Sequence, residues 1–162
     1  MSFDDYLNEG LEKISKKRSA AGVAIIYDNK ILLVHPTGSS WKRGTCGIPK
    51  GGMEEGEDPM EAALRELKEE TGIVLTPEQL DSMPNSVETH TKSGKVHTII
   101  YFVCKISDLS EIGLTSERVP KSQLQLEEVD WAKFVSPEEA YPITSRSQLI
   151  VLDRHLKLSK NK

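Results

Sequence analysis

Cysteine is scarce in this chain: Cys46 and Cys104 are the only two among 162 residues. Two cysteines build no disulfide framework, and with four scattered histidines they supply no zinc-ligand spacing. Long apolar runs are missing as well. Ala20–Tyr27 and Ile99–Cys104 are the longest, far below the roughly 20 residues that span a bilayer, so no membrane partner is expected. The first residues, Met-Ser-Phe-Asp-Asp, are acidic at once and do not read as a basic-then-apolar leader. Repeats and low-complexity tracts are absent. A basic excess is absent too. Lys and Arg total 21 against 25 Asp and Glu, a net charge of −4, which argues against a general nucleic-acid coat. A cytoplasmic protein with one domain is the resulting expectation.

What is present intermixes strand and helix signals without regular βαβ units, which predicts an α+β fold. Phe3, Leu7, Leu11 and Ile14 recur at helical spacing and predict a short N-terminal helix within an arm over 1–17. Ala20–Tyr27 and Ile31–His35 read as a hairpin closed by Asp28-Asn29. A Gly/Ser loop follows to Gly47. Asp58, Pro59 and Gly72 bracket a strong helix as cap, first residue and stop. Ile73–Leu75, Val87–Thr91, Val96–Ile106 and Glu128–Val135 are further strand candidates, with Ser107–Ser122 a long loop. Ser136-Pro137 opens a short helix, Ser145–Leu158 reads as the last one, and 159–162 is a tail.

Acid is concentrated rather than spread. Eight carboxylates lie between Met53 and Thr71 against two bases, so this stretch carries −6 and the remainder +2. On a helical wheel Met60, Ala63, Leu64, Leu67 and Thr71 form an apolar stripe. Glu66, Glu69 and Glu70 share a face beside that stripe. Glu66 and Glu70 repel across one turn, and Glu69 and Glu70 meet the negative end of the macrodipole. A solvated acidic face is one reading. The other is a site for a hard cation, Mg2+ or Mn2+, since the cluster offers oxygen ligands alone. The preceding Pro49-Lys50-Gly51-Gly52 loop favours the second, because glycines allow close approach of an anionic ligand and Lys50 adds a cation.

Gly51, five intervening residues, Glu57, seven intervening residues, and the run Arg65-Glu66-Leu67-Lys68-Glu69-Glu70-Thr71-Gly72-Ile73 resemble the complete Nudix box over residues 51–73. The resemblance extends over a single domain at 18–158 and implies an α/β/α sandwich with a mixed central sheet. It implies a hydrolase that cleaves a nucleoside diphosphate linked to another group, with Mg2+ or Mn2+ as cofactor. Glu66, Glu69, Glu70 and the Lys50 carbonyl would then be metal ligands. Glu57 and Arg65 would form a supporting ion pair. The general base would be Glu66 or Glu69 of the box, or Glu127 or Glu128 on a later loop, with Glu88 and Glu117 weaker candidates.

Other residues are candidates for substrate contact. Trp41 lies in a Gly/Ser loop and either stacks on a base or packs against the box loop. Lys42, Arg43 and Lys50 can meet phosphate, with Gly51 and Gly52 letting it approach. His90, Lys92 and Lys95 mark a hairpin tip. His35 and His97 are expected packed or solvated, and Trp131 and Phe134 in the core. Pro-Lys-Gly resembles the variant in diadenosine polyphosphate and diphosphoinositol hydrolases. The downstream Tyr and Pro of two subgroups are missing, since Glu88, Thr89, His90 and Thr91 occupy those places. These residues single out no substrate subgroup; dinucleoside polyphosphates are the first choice in a set that also includes nucleoside triphosphates, ADP-ribose, nucleotide sugars and RNA 5′ ends. A non-catalytic nucleotide sensor on the same fold is the reading of another class.

Overall fold

The computed structural model describes residues 19–90 and 93–158. The N-terminal arm with its expected helix, the 159–162 tail and Lys92 lie outside the described residues. Strand β1 (Ser19–Tyr27) turns directly into β2 (Lys30–Pro36). Asp28 and Asn29 both take positive φ, 50° and 55°. That is the turn geometry that follows the twist of a two-residue hairpin, and Asp and Asn tolerate it better than most residues. A short β3 (Lys50–Gly52) then leads to helix α1 (Pro59–Thr71). Beyond it come β4 (Asn85–His90), β5 (Val96–Ile106) and β6 (Val129–Val135). Two short helices, α2 (Pro137–Ile143) and α3 (Leu149–His155), close the domain.

The strands form one six-stranded sheet in the order β4-β5-β1-β2-β6, with β3 paired to β1. β1 and β5 are parallel over nine residues, and the other pairings are antiparallel. The sheet is therefore mixed. Its central strands are buried on both faces, which explains their nearly continuous apolar sequence. Val23 and Ile25 point into one core, with Leu67 of α1. Ala24 and Ile26 point into the other, with Val151 and Leu152 of α3. Two layers of helix on one sheet make an α/β/α sandwich, as expected from the sequence.

Some elements differ from the sequence expectation. Ile73–Leu75 forms no strand, although Ile73 and Leu75 are buried under the first core. Its alternation serves to bury side chains in that core without strand pairing. The Ser107–Ser122 stretch is not featureless. Asp108 caps a 3-10 turn at Leu109–Ile112, and Arg118 bridges to Lys133. The last helix is shorter than Ser145–Leu158 because a separate 3-10 turn, Arg146–Gln148, precedes it. Among the described residues no helix is long and apolar enough to cross a membrane.

Candidate functional site

Helix α1 is built to present its carboxylates at a fixed place. Asp58 accepts a hydrogen bond from the Met60 N–H, Pro59 needs no donor partner, and Gly72 ends the helix at φ 72°. β3 runs beside this helix because Gly51 has no side chain. A Cβ there would lie 2.1 Å from the Glu66 carboxyl carbon.

Arg65 organises the acids. Its Nε and Nη2 donate to the two Glu57 oxygens at 2.7 and 2.9 Å. Nη2 also donates to the Gly52 carbonyl at 3.0 Å, and Nη1 to Glu66 at 2.9 Å and Glu69 at 3.2 Å. A planar five-donor fork can satisfy such a set, and an ammonium cannot. Glu57 in turn accepts from the Glu54 N–H at 2.9 Å, which folds the loop onto the helix. The Arg65 guanidinium holds the Glu57 carboxyl below its ordinary range, and its own proton is held more tightly by Glu57 and Glu69.

Glu70 behaves differently. It is only 8% exposed and accepts the Lys50 N–H at 2.8 Å. Burial pushes its carboxyl up to about 8, against the pull of that hydrogen bond. Glu66 is also raised, first by burial, although Arg65 opposes it. The three glutamates thus form a gradient, from buried Glu70 through Glu66 to Glu69, whose side chain is 46% exposed.

Among the described residues no three acidic, histidine or cysteine side chains converge into a ready-made metal cage. Glu66 and Glu69 are turned to Arg65, and Glu70 to the Lys50 N–H. The donor set nevertheless fits a hard divalent cation. It holds carboxylate oxygens beside an exposed backbone loop, with no soft ligand. Its most buried carboxyl is one that a cation would stabilise in its charged form.

A small cavity of about 200 Å³ brings Glu70 together with Lys50, Glu128, Thr45 and Gln148. Glu127, next along the same turn, is exposed and does not line this cavity. Glu117 is paired with Lys30 at 2.7 Å, and Glu88 is exposed on β4. A larger cavity of about 480 Å³ shares Lys50, Thr45 and Gln148 and reaches Gly52, Thr89 and His97. Arg43 and His90 are exposed and line neither cavity.

Trp41 lines neither cavity. Its ring stacks on His35 at 3.8 Å and meets Trp131 edge-on at 5.2 Å. His35 is buried, with Nδ1 2.6 Å from Asp130. Phe134 is fully buried as expected, whereas Trp131 is only partly so. The cavity residues that sequence reading passes over are Gln148, Thr45 and the hydroxyls near them. Nothing in their spacing marks them, because tertiary folding alone brings residue 148 beside residue 48.

The fold and the Glu57–Arg65–Glu70 constellation define a family, and comparison with known proteins agrees. The NUDIX domain family matches residues 16–154, so the chain belongs to it. Nudix hydrolase 10 of Arabidopsis thaliana is 31% identical over 139 residues, 86% of this chain and 45% of that protein. The asymmetrical bis(5′-nucleosyl)-tetraphosphatase of Caenorhabditis elegans is 34% identical over 82 residues, 49% of this chain and 58% of that protein. The crystal structure of a C. elegans Ap4A hydrolase binary complex superposes with a TM-score of 0.59 at 25% identity, covering 85% of this chain and 93% of that one. The chain spans about half the length of these two curated relatives.

Proposed function

We propose that this protein is a metal-dependent pyrophosphohydrolase acting on a nucleoside diphosphate linked to another group, with dinucleoside polyphosphates as the leading substrates. The observation that carries this reading is the buried Glu70 carboxyl, which shares a small cavity with Lys50 and Glu128 directly beside the Arg65 network. The dinucleoside choice is supported by the tetraphosphatase relative and by the similarity to the Ap4A hydrolase structure.

Glu70, Glu66, Glu69 and the Lys50 carbonyl would hold Mg2+ or Mn2+. When bound, the cation would neutralise phosphate charge and lower the pKa of water. The chain's own residues do the rest. Glu57 and Arg65 hold Glu66 and the β3 loop in register. The Lys50 ammonium meets a phosphoryl oxygen. Glu128 takes the proton from the attacking water as the oxygen–phosphorus bond forms and the anhydride bond breaks. Of the two loop acids, Glu128 is preferred over Glu127 because it lines the cavity with Glu70. Cys46 and Cys104 are buried free thiols pushed up to about 12 and about 11, inert residues compatible with a reducing cytoplasm.

The test is product identification after incubation with Mg2+ and a panel of diadenosine tetraphosphate, nucleoside triphosphates, ADP-ribose and 5′-triphosphorylated RNA. Turnover of the first should fall at least about 10²-fold in Glu70→Gln with the fold intact. Binding without any product would favour a nucleotide sensor instead. Near-normal turnover in Glu70→Gln would refute the metal assignment.

A further inference from the structure

The two cavities meet along a wall of Thr45, Lys50 and Gln148. Among the described lining residues the acids, Glu70 and Glu128, belong to the smaller cavity. The larger cavity has no Asp, Glu, Phe, Tyr or Trp on its described lining. Thr45, Thr89, Thr98, Ser145 and Ser147 line it with hydroxyls, and Lys50 adds a cation. Its one ring is His97. At about 480 Å³ it has the size of a small-ligand site. Its chemistry differs from that of a base pocket, which is built from flat aromatic platforms.

Gln148 sharpens the chemistry. It is 5% exposed, and its Oε1 accepts the Ile48 N–H at 2.9 Å. That bond fixes which way the amide points, because only the carbonyl oxygen can accept from an N–H. The amide nitrogen is thereby left as the donor end. The side chain lies flat on Gly47, where a Cβ would come within 2.3 Å of Nε2. Gln148 therefore presents N–H donors at the junction of the carboxylate cavity and the hydroxyl cavity.

We infer that the larger cavity reads the ribosyl phosphate of the substrate through hydrogen bonds, with Gln148 as a specificity residue, and leaves the nucleobase unread. The inference rests on the hydrolase reading and deepens it. A diphosphate placed beside Glu70 would continue past Gln148 into a wall of hydroxyls, which pair with sugar hydroxyls. Its described lining holds no Phe, Tyr or Trp on which a base would stack.

The test uses diadenosine, diguanosine and diuridine tetraphosphates, together with the 2′-deoxy and 2′,3′-dideoxy forms of the first. KM should agree within about threefold across the bases and rise about tenfold or more on loss of the hydroxyls, because a hydrogen-bonding site rejects an analogue that leaves its groups unpaired. Gln148→Glu keeps an acceptor for the Ile48 N–H and turns the donor end into an anion. It should raise KM about tenfold with kcat changed far less, and lower the melting temperature by the cost of a buried carboxylate near Glu70. A merely structural Gln148 would leave KM of this variant in place. That result, a base preference above about tenfold, or indifference to the sugar hydroxyls would overturn the inference. If none of the compounds is hydrolysed, the choice of dinucleoside polyphosphates as substrates fails. Dissociation constants for the same series, measured by calorimetry with Ca2+ in place of Mg2+, then decide the inference by the same comparisons.

Discussion

At the scale of single residues, Gly51 separates stability from function. A Cβ there would strike the Glu66 carboxylate, the far end of a flexible side chain, and not backbone. Gly51→Ala should therefore change unfolding free energy by no more than about 1 kcal/mol, since a displaced Glu66 loses one hydrogen bond while the unfolded chain loses freedom. Activity should fall about 10²-fold, because a carboxylate moved by an ångström no longer holds its ligand in line. Urea unfolding beside a turnover assay measures both, and equal loss in the two would contradict the separation. Residues of this kind were legible in the sequence, because Gly51, Glu57, Arg65, Glu66, Glu69 and Glu70 sit at fixed spacings on one loop and one helix. Gln148 and Thr45 were not. Their role depends on a 3-10 turn and a Gly/Ser loop meeting across about a hundred residues of chain, which no periodicity records. Trp41 was legible only as two alternatives, and its stacking on His35 depends equally on long-range packing.

At the scale of elements, the docking of α3 on the sheet carries a titratable contact. His155 Nε2 lies 2.8 Å from the Tyr101 hydroxyl, which also accepts from Arg154 at 3.3 Å. The phenol therefore donates to a neutral imidazole. Burial lowers the His155 pKa below its ordinary 6.5, with Arg154 and Lys105 adding to the effect and Asp81 opposing it. A depressed histidine stabilises the fold above the unfolded value and loses that contribution as pH falls through the folded value. Urea midpoints should consequently drop between about pH 7 and pH 5, and His155→Gln should flatten that drop. A variant with the same pH slope as wild type would show that another group governs it. The strands and helices were legible where local chemistry agrees with packing, as at Asp28-Asn29 or at Asp58-Pro59 and Gly72. Ile73–Leu75 misled because a buried alternating segment reads the same whether or not a partner strand exists.

At the scale of the whole molecule, the charge of −4 hides a division between a −6 segment and a +2 remainder. Folding places four of those acids on one helix and buries Glu70, so the apo fold is stabilised less than its packing allows. Arg65 offsets Glu54, Glu57, Glu66 and Glu69, whereas the Glu70 carboxyl accepts the Lys50 N–H. A cation that binds only the folded chain would supply the missing charge. At ten times its dissociation constant, Mg2+ should add about 1.4 kcal/mol to stability. For a domain of this size that is a rise of roughly 3–6 °C in melting temperature. Glu70→Gln keeps an acceptor for the Lys50 N–H and removes a carboxyl whose ionised form burial disfavours. It should melt at or above wild type in chelator and gain almost nothing from Mg2+. Thermal scans of both proteins with and without Mg2+ give four numbers. A Mg2+ shift that persists undiminished in Glu70→Gln would place the cation away from the buried carboxyl, and with it the site of hydrolysis.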